Sequence, residues 1–569
     1  MVVMTVIGIV GSIPSRRSRK RRKRSPRKWL PALVLVVVVI GISAYYSLRT
    51  VEPPEADRPY LVYLAEIQEF PVIIENKEPY IPLSFIKEKI DPNVYWDESG
   101  VMVVTTKDKV IKLKTDSLTA YVNQHPAPLQ FPVILVDEEP YVPSNTLQAL
   151  YPVSTTYNAE AGMFLVRRLD RMAKVGKLTS DAFLRLGPSV FSPRVKEIKE
   201  GTEVVIYSES GRWLKVETKD GLCGFVRTKQ VANVFERPPE VNEVSDYVPK
   251  SLEGDKVVLA WEQVYSARID TSKIGDMPGL NVVSPTWFHL SDDQGGIENR
   301  GDINYVDWAH SKGYQVWALF SNSFNPERTS KVLRDSEIRD RVISQILVYC
   351  KIYKLDGINI DFENVYLDDG PYLTQFVREI TPLLHEQGLT VSIDVTVRSE
   401  SPNWSLFLER DKLSDTVDYV MLMSYDQYPQ GSHVAGPVSS IPWTESNIET
   451  TLLEVPSKKL VLGIPFYTRL WEETKEEGET KITCKALGME SVSKWLREHN
   501  PTTTYQEETG LLYAEKTVGN KTYKVWIEDK DSVEKRVQLV NKYNLAGVAA
   551  WSRGFETPDI WHTIANTIE

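Results

Sequence analysis

The sequence predicts a multidomain chain whose C-terminal half is a (β/α)8 barrel. Three observations lead there. The chain has 569 residues, enough for three or four domains at roughly 100–200 residues each. From Lys256 onward, eight short β-rich apolar runs alternate with helical stretches, the pattern of a parallel sheet with crossover helices. Ahead of them lie an apolar run, an internal repeat and a cluster of short strands. The predicted architecture is therefore an N-terminal membrane helix, an α+β repeat domain, a small β-barrel, and a C-terminal (β/α)8 barrel with a small α+β insertion after its seventh strand.

Composition sets the frame. Apolar residues make up 42% and charged residues 25%, which is ordinary globular composition. The net charge is −10, and residues 16–28 alone hold ten Lys/Arg and no acid, so the rest of the chain carries −20. An acidic body argues against a nucleic-acid partner, whose phosphates demand cations. Cys223, Cys350 and Cys484 are the three cysteines, each more than a hundred residues from the next. Such spacing gives neither a disulfide framework nor a metal site, and no cofactor is expected.

Residues 29–48, Trp29–Leu48, run twenty positions without a charge, enough to read as a span of a ~30 Å hydrocarbon core. Trp29 stands at one edge and Tyr45 and Tyr46 at the other, and the basic segment 1–28 precedes. The bias of positive charge predicts a cytoplasmic N-terminus, a lipid bilayer around residues 29–48 and the remaining chain outside the cell. Bulky Tyr45 and Tyr46 after Ser43-Ala44 disfavour a cleaved signal peptide and favour a retained anchor.

Residues 60–170 contain a repeat. Phe70–Pro82 reads FPVIIENKEPYIP and Phe131–Pro143 reads FPVILVDEEPYVP, an offset of 61 with eight of thirteen positions identical. Each copy predicts a strand, an acidic turn, then Pro-Tyr-x-Pro entering a helix such as Leu83–Ile90. A second strand follows, at Gly100–Thr105 and at Ala161–Val166, and the two copies pack as one unit. This stretch resembles the module named for the N-terminal domain of copper amine oxidases, although it holds one histidine, His125, and no cysteine. Its expected role is spacing or wall binding. Residues 172–235 read as short strands and turns: Glu203–Tyr207, a turn at Gly211-Arg212, Trp213–Glu217, a hairpin signal at Asp220-Gly221 and Gly224–Arg227. They resemble the bacterial Src-homology-3-like barrels attached to wall hydrolases. Acidic, Pro-containing residues 236–255 read as a linker.

The predicted barrel, residues 256–569, has strands at Lys256–Trp261, Leu280–Trp287, Tyr314–Phe320, Leu355–Phe362, Leu389–Thr396, Val417–Ser424, Lys459–Phe466 and Leu545–Trp551. The interval after the seventh strand is too long for one helix and predicts an insertion at about 468–530. Barrel active sites lie at the C-terminal strand ends, and the fourth strand is the informative one. Asn359, Asp361 and Glu363 share one face, while Ile358, Ile360 and Phe362 share the other. Three polar groups in series on an inward face are costly to bury without a purpose.

These residues resemble the signature Asp-x-x-Asp-x-Asp-x-Glu of glycoside hydrolase family 18. Met423-Ser424-Tyr425-Asp426 at the end of strand six, Gly463–Tyr467 after strand seven and Gly547–Trp551 on strand eight resemble further family motifs. Within the family the chain looks most like bacterial spore-cortex and cell-wall N-acetylglucosaminidases. The resemblance implies a substrate-assisted, retaining mechanism. Glu363 is the implied acid, Asp361 orients the 2-acetamido group and stabilises the oxazolinium ion, and Tyr425 positions the acetamido carbonyl. Asn359 and Asp426 are the implied supporting residues. Trp551 is the expected floor under the sugar, Met423, Phe466 and Tyr467 are expected walls, and Trp261 and Trp287 are expected to stack on neighbouring sugars. Asn359 stands where most chitinases have Asp, which predicts a more simply ionised Asp361. Arg553, after Trp551-Ser552, has no role in this reading. The expected partner is a polysaccharide containing N-acetylglucosamine, either peptidoglycan or chitin. A non-catalytic glycan-binding protein is the alternative from another class, disfavoured by the presence of Glu363.

Overall fold

The structure is a computed structural model and describes residues 30–50, 58–97, 99–241, 256–265, 268–476 and 479–569. The basic segment 1–28, Trp29 and most of the expected linker 236–255 lie outside the described residues. Two compact units divide the chain. One comprises residues 1–81 and 147–242, the other residues 82–146 and 243–569.

The first unit is β-rich. Strands run in the order Val153–Asn158, Met163–Arg168, Tyr60–Tyr63 and Glu66–Pro71 in a four-stranded sheet. A seven-stranded antiparallel sheet follows, with Glu203–Ser210, Trp213–Thr218 and Cys223–Arg227 at its centre. Its apolar core is Leu184, Val204, Leu214, Val216 and Val226 with their neighbours.

Helix Leu30–Leu48 has 19 residues. Among the described residues no helix is long and apolar enough to cross a membrane. The expectation of a single-pass anchor is therefore corrected. With it go the bilayer contact through residues 29–48 and the extracellular placement that was argued from the anchor.

In both repeat copies the acidic turn is a tight hairpin. Asn76 and Lys77 in one, and Asp137 and Glu138 in the other, take left-handed backbone conformations, as a two-residue hairpin of this twist requires. The repeat region holds more strand than expected. Val110–Lys114, Thr119–Val122 and His125–Pro128 pair in an antiparallel meander with Tyr95–Trp96 and Val101–Thr105.

This meander, residues 95–128, belongs to the same compact unit as the barrel and packs on two of its helices, Ser336–Tyr353 and Gly370–Glu386. Lys112 pairs with Asp340 and, at 3.1 Å, with Glu379. Glu379, fully buried, also receives Arg339 at 2.9 Å and Gln375 at 3.0 Å. Tyr95 lies under the Arg339 guanidinium at 4.9 Å, and the Ser336 hydroxyl donates to Asp97. Burying a carboxylate is tolerable only with partners of this kind.

The barrel itself has eight parallel strands: β1 Val257–Glu262, β2 Val282–Leu290, β3 Gln315–Ser321, β4 Gly357–Asp361, β5 Thr390–Thr396, β6 Tyr419–Met423, β7 Leu460–Pro465 and β8 Gly547–Trp551. Pairing of β1 with both β2 and β8 closes the ring. Alternation then sorts the side chains into two layers. Trp261, Val282, Trp317, Leu319, Met421, Val461 and Ala549 fill the interior, while Ile358, Ile360, Val391, Ile393, Leu462 and Ile464 pack outward beneath the helices. After β7, five antiparallel strands and helix Met489–His499 form a separate α+β layer, which returns to the barrel through helix Lys530–Lys542, N-capped by Asp529 and Ser532.

Lys112→Met leaves Glu379 with one cation instead of two. The expected result is a loss of about 2–3 kcal/mol of stability, read from urea unfolding of the whole chain. An unchanged midpoint would mean that the meander is not coupled to the barrel through this pair.

Candidate active site

The C-terminal mouth of the barrel is built from the ends of β4, β5, β6 and β8. On β4, Asn359 is fully buried and held from three sides. Its Oδ1 accepts the Trp261 indole N–H at 2.8 Å and the Ser284 hydroxyl at 3.4 Å. Its Nδ2 donates to Asp394 Oδ1 at 2.7 Å and Ser392 Oγ at 3.1 Å.

Two residues on, Asp361 is buried, and its Oδ1 has no hydrogen-bond partner. Burial pushes this carboxyl up to about 7. The expectation that Asn359 leaves Asp361 simply ionised is thus corrected. The absence of a carboxylate at 359 does not give Asp361 a cation or a donor, and desolvation alone favours its neutral form.

Glu363, half-buried, lies just past the end of the strand. Burial first, then the charges of Asp361 and Asp426, hold its carboxyl well above the usual carboxylate range. Its backbone is fixed by a residue the sequence reading passed over. Asn322, directly after β3, accepts from Glu363 N at 3.1 Å and donates to Glu363 O at 2.7 Å and to Thr329 Oγ1 at 2.9 Å. The polar run Ser321-Asn322-Ser323 after an apolar strand was the available signal.

Tyr425 follows β6 with its ring 6.4 Å from Tyr467. Asp426 accepts from the Tyr467 hydroxyl and from Arg469 Nη2 at 2.6 Å. Trp551 ends β8 half-buried, 6.0 Å from the fully buried Trp261. Met423 is half-buried at the end of β6.

One expected wall, Phe466, and one residue expected to stack on a neighbouring sugar, Trp287, lie elsewhere. Trp287 and Phe466 are fully buried in the layer between strands and helices, Trp287 against Tyr305 at 5.6 Å and Phe466 against Trp561 at 5.5 Å. Both point outward by the alternation that turns Asn359 inward, so they are not among the residues gathered at the mouth. Trp261 sits beneath the site as a hydrogen-bond donor, with no exposed face.

Asp394 was also missed. It is buried on β5, and alternation of Ser392, Asp394 and Thr396 with apolar neighbours gives the same inward-polar signal as β4. Arg553, unexplained by sequence, closes on Glu262 at the end of β1 with two guanidinium nitrogens. The Tyr305 hydroxyl donates to Glu262 Oε2 at 3.2 Å. The pair fixes the turn that follows Trp551.

Such a mouth gathers a carboxyl held above the usual range, an adjacent buried carboxyl with an unpartnered oxygen, a tyrosine and a half-buried tryptophan. Known proteins with similar sequences fit this picture. The pattern of glycosyl hydrolases family 18 matches residues 267–556, that of the copper amine oxidase N-terminal domain residues 64–165, and that of the bacterial SH3 domain residues 180–232.

The uncharacterized glycosylase YvbX of Bacillus subtilis (strain 168) is 23% identical over 296 residues, spanning 50% of this chain and 84% of the relative. The cortical fragment-lytic enzyme of the same organism is 25% identical over 252 residues, spanning 43% of this chain and 57% of that enzyme. Among solved structures, the spore cortex-lytic enzyme SleL of Bacillus megaterium QM B1551 superposes with a TM-score of 0.50 at 18% identity. That superposition covers 65% of this chain and 89% of SleL, and the likeness is one of fold. With a family pattern that runs over half its length and an eight-stranded parallel barrel, this chain belongs to glycosyl hydrolases family 18 and is a glycoside hydrolase.

Proposed function

We propose that this glycoside hydrolase cleaves N-acetylglucosamine linkages in peptidoglycan by a substrate-assisted, retaining mechanism. One observation carries the reading. Glu363 is an acid held above the usual carboxylate range, beside Asp361, whose Oδ1 is buried without a hydrogen-bond partner. Glu363 protonates the leaving glycosidic oxygen. The carbonyl oxygen of the substrate's own acetamido group attacks the anomeric carbon, and Asp361 accepts the acetamido N–H and offsets the charge of the oxazolinium ion. The Tyr425 hydroxyl positions the acetamido carbonyl, with Asp426 and Asn359 in support. Glu363 then takes a proton from water as the ring opens. Trp551 is the floor of the pocket, with Met423 and Tyr467 beside it.

Peptidoglycan is favoured over chitin by the modules ahead of the barrel and by the name of the cortical fragment-lytic relative. The division at 60–170, 172–235, 236–255 and 256–569 belongs to this proposal, with the first two segments as wall-binding or spacing modules.

Wild type and Glu363→Gln, each incubated with peptidoglycan and with chitin, test the reading by product sizing. The expected result is N-acetylglucosamine-ended fragments from peptidoglycan with wild type, and a rate lower by about 10²–10⁴-fold with Glu363→Gln at unchanged glycan binding. Release from chitin alone would favour a chitinase, and no hydrolysis of either a glycan-binding protein.

The pH dependence follows from the two carboxyls. Asp361 serves as an anion, the form present above its value of about 7 and lost as pH falls through it. Glu363 serves as an acid, and its raised value keeps the proton to higher pH until it is lost on the alkaline side. A kcat/KM profile is therefore expected to fall on its acid side near 7, with its optimum above. An acid limb near pH 4 would contradict this assignment.

A further inference from the structure

The acid stands just past the point where the sheet supports it. Pairing of β3 with β4 ends at Ser321 opposite Asp361, and Glu363 lies two residues further on. Were β3 to continue, its backbone would supply partners for the Glu363 N–H and C=O. It turns away instead. Ser323 and Phe324 have φ of 57° and 55°, left-handed conformations outside the range of any strand. The Ser323 hydroxyl donates to the Leu290 carbonyl at 2.9 Å and its N–H to Ser321 Oγ at 3.1 Å, which ties the turn to β2 and to the end of β3.

A side chain stands in for the missing backbone. The carboxamide of Asn322 carries the same donor and acceptor as a peptide group. Its Oδ1 accepts the Glu363 N–H at 3.1 Å, and its Nδ2 donates to the Glu363 carbonyl at 2.7 Å. These partners leave the amide one orientation, because a peptide N–H only donates and a carbonyl only accepts. Its remaining capacity goes to the framework. Nδ2 also donates to Thr329 Oγ1 at 2.9 Å, and Oδ1 also accepts from Phe324 N at 3.3 Å. Thr329 Oγ1 donates in turn to the Asn325 carbonyl at 2.6 Å, and Asn325 is the N-cap of helix Pro326–Arg334. Asn322 is 1% exposed, so water does not compete for these bonds.

We infer that Asn322 is the positioning residue of the acid. Its side chain adds one rung to the β3–β4 ladder and so holds Glu363 in proton-donating place after the β3 backbone has turned away. Alanine would leave both groups of the Glu363 backbone without this partner. A carboxylate would accept from the N–H but could not donate to the carbonyl. The inference rests on the reading of Glu363 as the acid and adds the residue through which the framework sets its place.

The test uses the full chain and two substrates, with thermal unfolding alongside. One is an N-acetylglucosamine oligosaccharide, whose sugar leaving group needs a proton. The other is a dinitrophenyl glycoside of the same sugar, whose leaving group needs none. Glu363→Gln checks the underlying reading first. It is expected to lose cleavage of the oligosaccharide and to keep most cleavage of the dinitrophenyl glycoside. An equal effect on both substrates, or none on either, overturns both readings. Asn322→Ala is expected to lower kcat on the oligosaccharide about 10²-fold, the scale of a misplaced reacting group, with KM nearly unchanged. On the dinitrophenyl glycoside it is expected to stay near wild type. An unchanged kcat on the oligosaccharide overturns the inference while leaving Glu363 in its role. An equal loss on both substrates marks structural support alone and also overturns it. Asn322→Asp, of the same size, serves should the alanine variant not fold. Its neutral form regains the donor, so its oligosaccharide activity relative to wild type is expected to rise as pH falls. A ratio that does not change with pH overturns the inference.

Discussion

Carboxyl groups crowded into a pocket without a counter-cation are the constraint on which this molecule turns. Asp361, Glu363 and Asp394 face one another at the mouth of the barrel, and the charges that act on them are chiefly their own. Water would dissipate that repulsion; a closed ring of strands does not admit it freely. Protons stay instead, and a protonated glutamate near neutral pH is what a glycosidic oxygen needs in order to leave. Elsewhere in the chain buried acids are treated in the opposite way. Glu379 meets Arg339 and Lys112, Glu528 meets Arg536, and Glu262 meets Arg553. The contrast between paired acids in the framework and unpaired acids at the mouth separates structural from chemical carboxyls within one chain.

Rigidity around those carboxyls comes from ordinary hydrogen bonds. Trp261 fixes the Asn359 amide, Asn322 holds the backbone of Glu363 on both its N–H and its carbonyl, and Arg469 with Tyr467 anchors Asp426. Each of these partners comes from a different strand end. The geometry of the mouth is thus a property of the closed barrel, and the meander of residues 95–128 braces two of the helices that surround it.

Much of this was legible in the sequence, because strand alternation is a strict rule. All eight barrel strands were marked to within a few residues, and the inward set Asn359, Asp361 and Glu363 followed from period-two counting. The same counting applied to β5 and to the ends of β2 and β7 would have found Asp394 and set Trp287 and Phe466 aside. They were assigned to the pocket as aromatics near strand ends, without asking which way they point. Partnerships across the barrel, such as Arg553 with Glu262 or Lys112 with Glu379, join residues some 270–290 positions apart, and no local pattern announces them. Composition misled at Trp29–Leu48, where an apolar run read as a span corresponds to a helix that falls short of one.

The proposed mechanism requires that the substrate's acetamido group be the nucleophile. Successive fluorination of the N-acetyl methyl group in an otherwise identical substrate measures this directly, because each fluorine weakens the carbonyl oxygen while hardly changing size. A steep, progressive fall in kcat/KM across mono-, di- and trifluoroacetyl substrates is the expected result. A flat series would contradict the account and assign the attack to a group on the protein or to water.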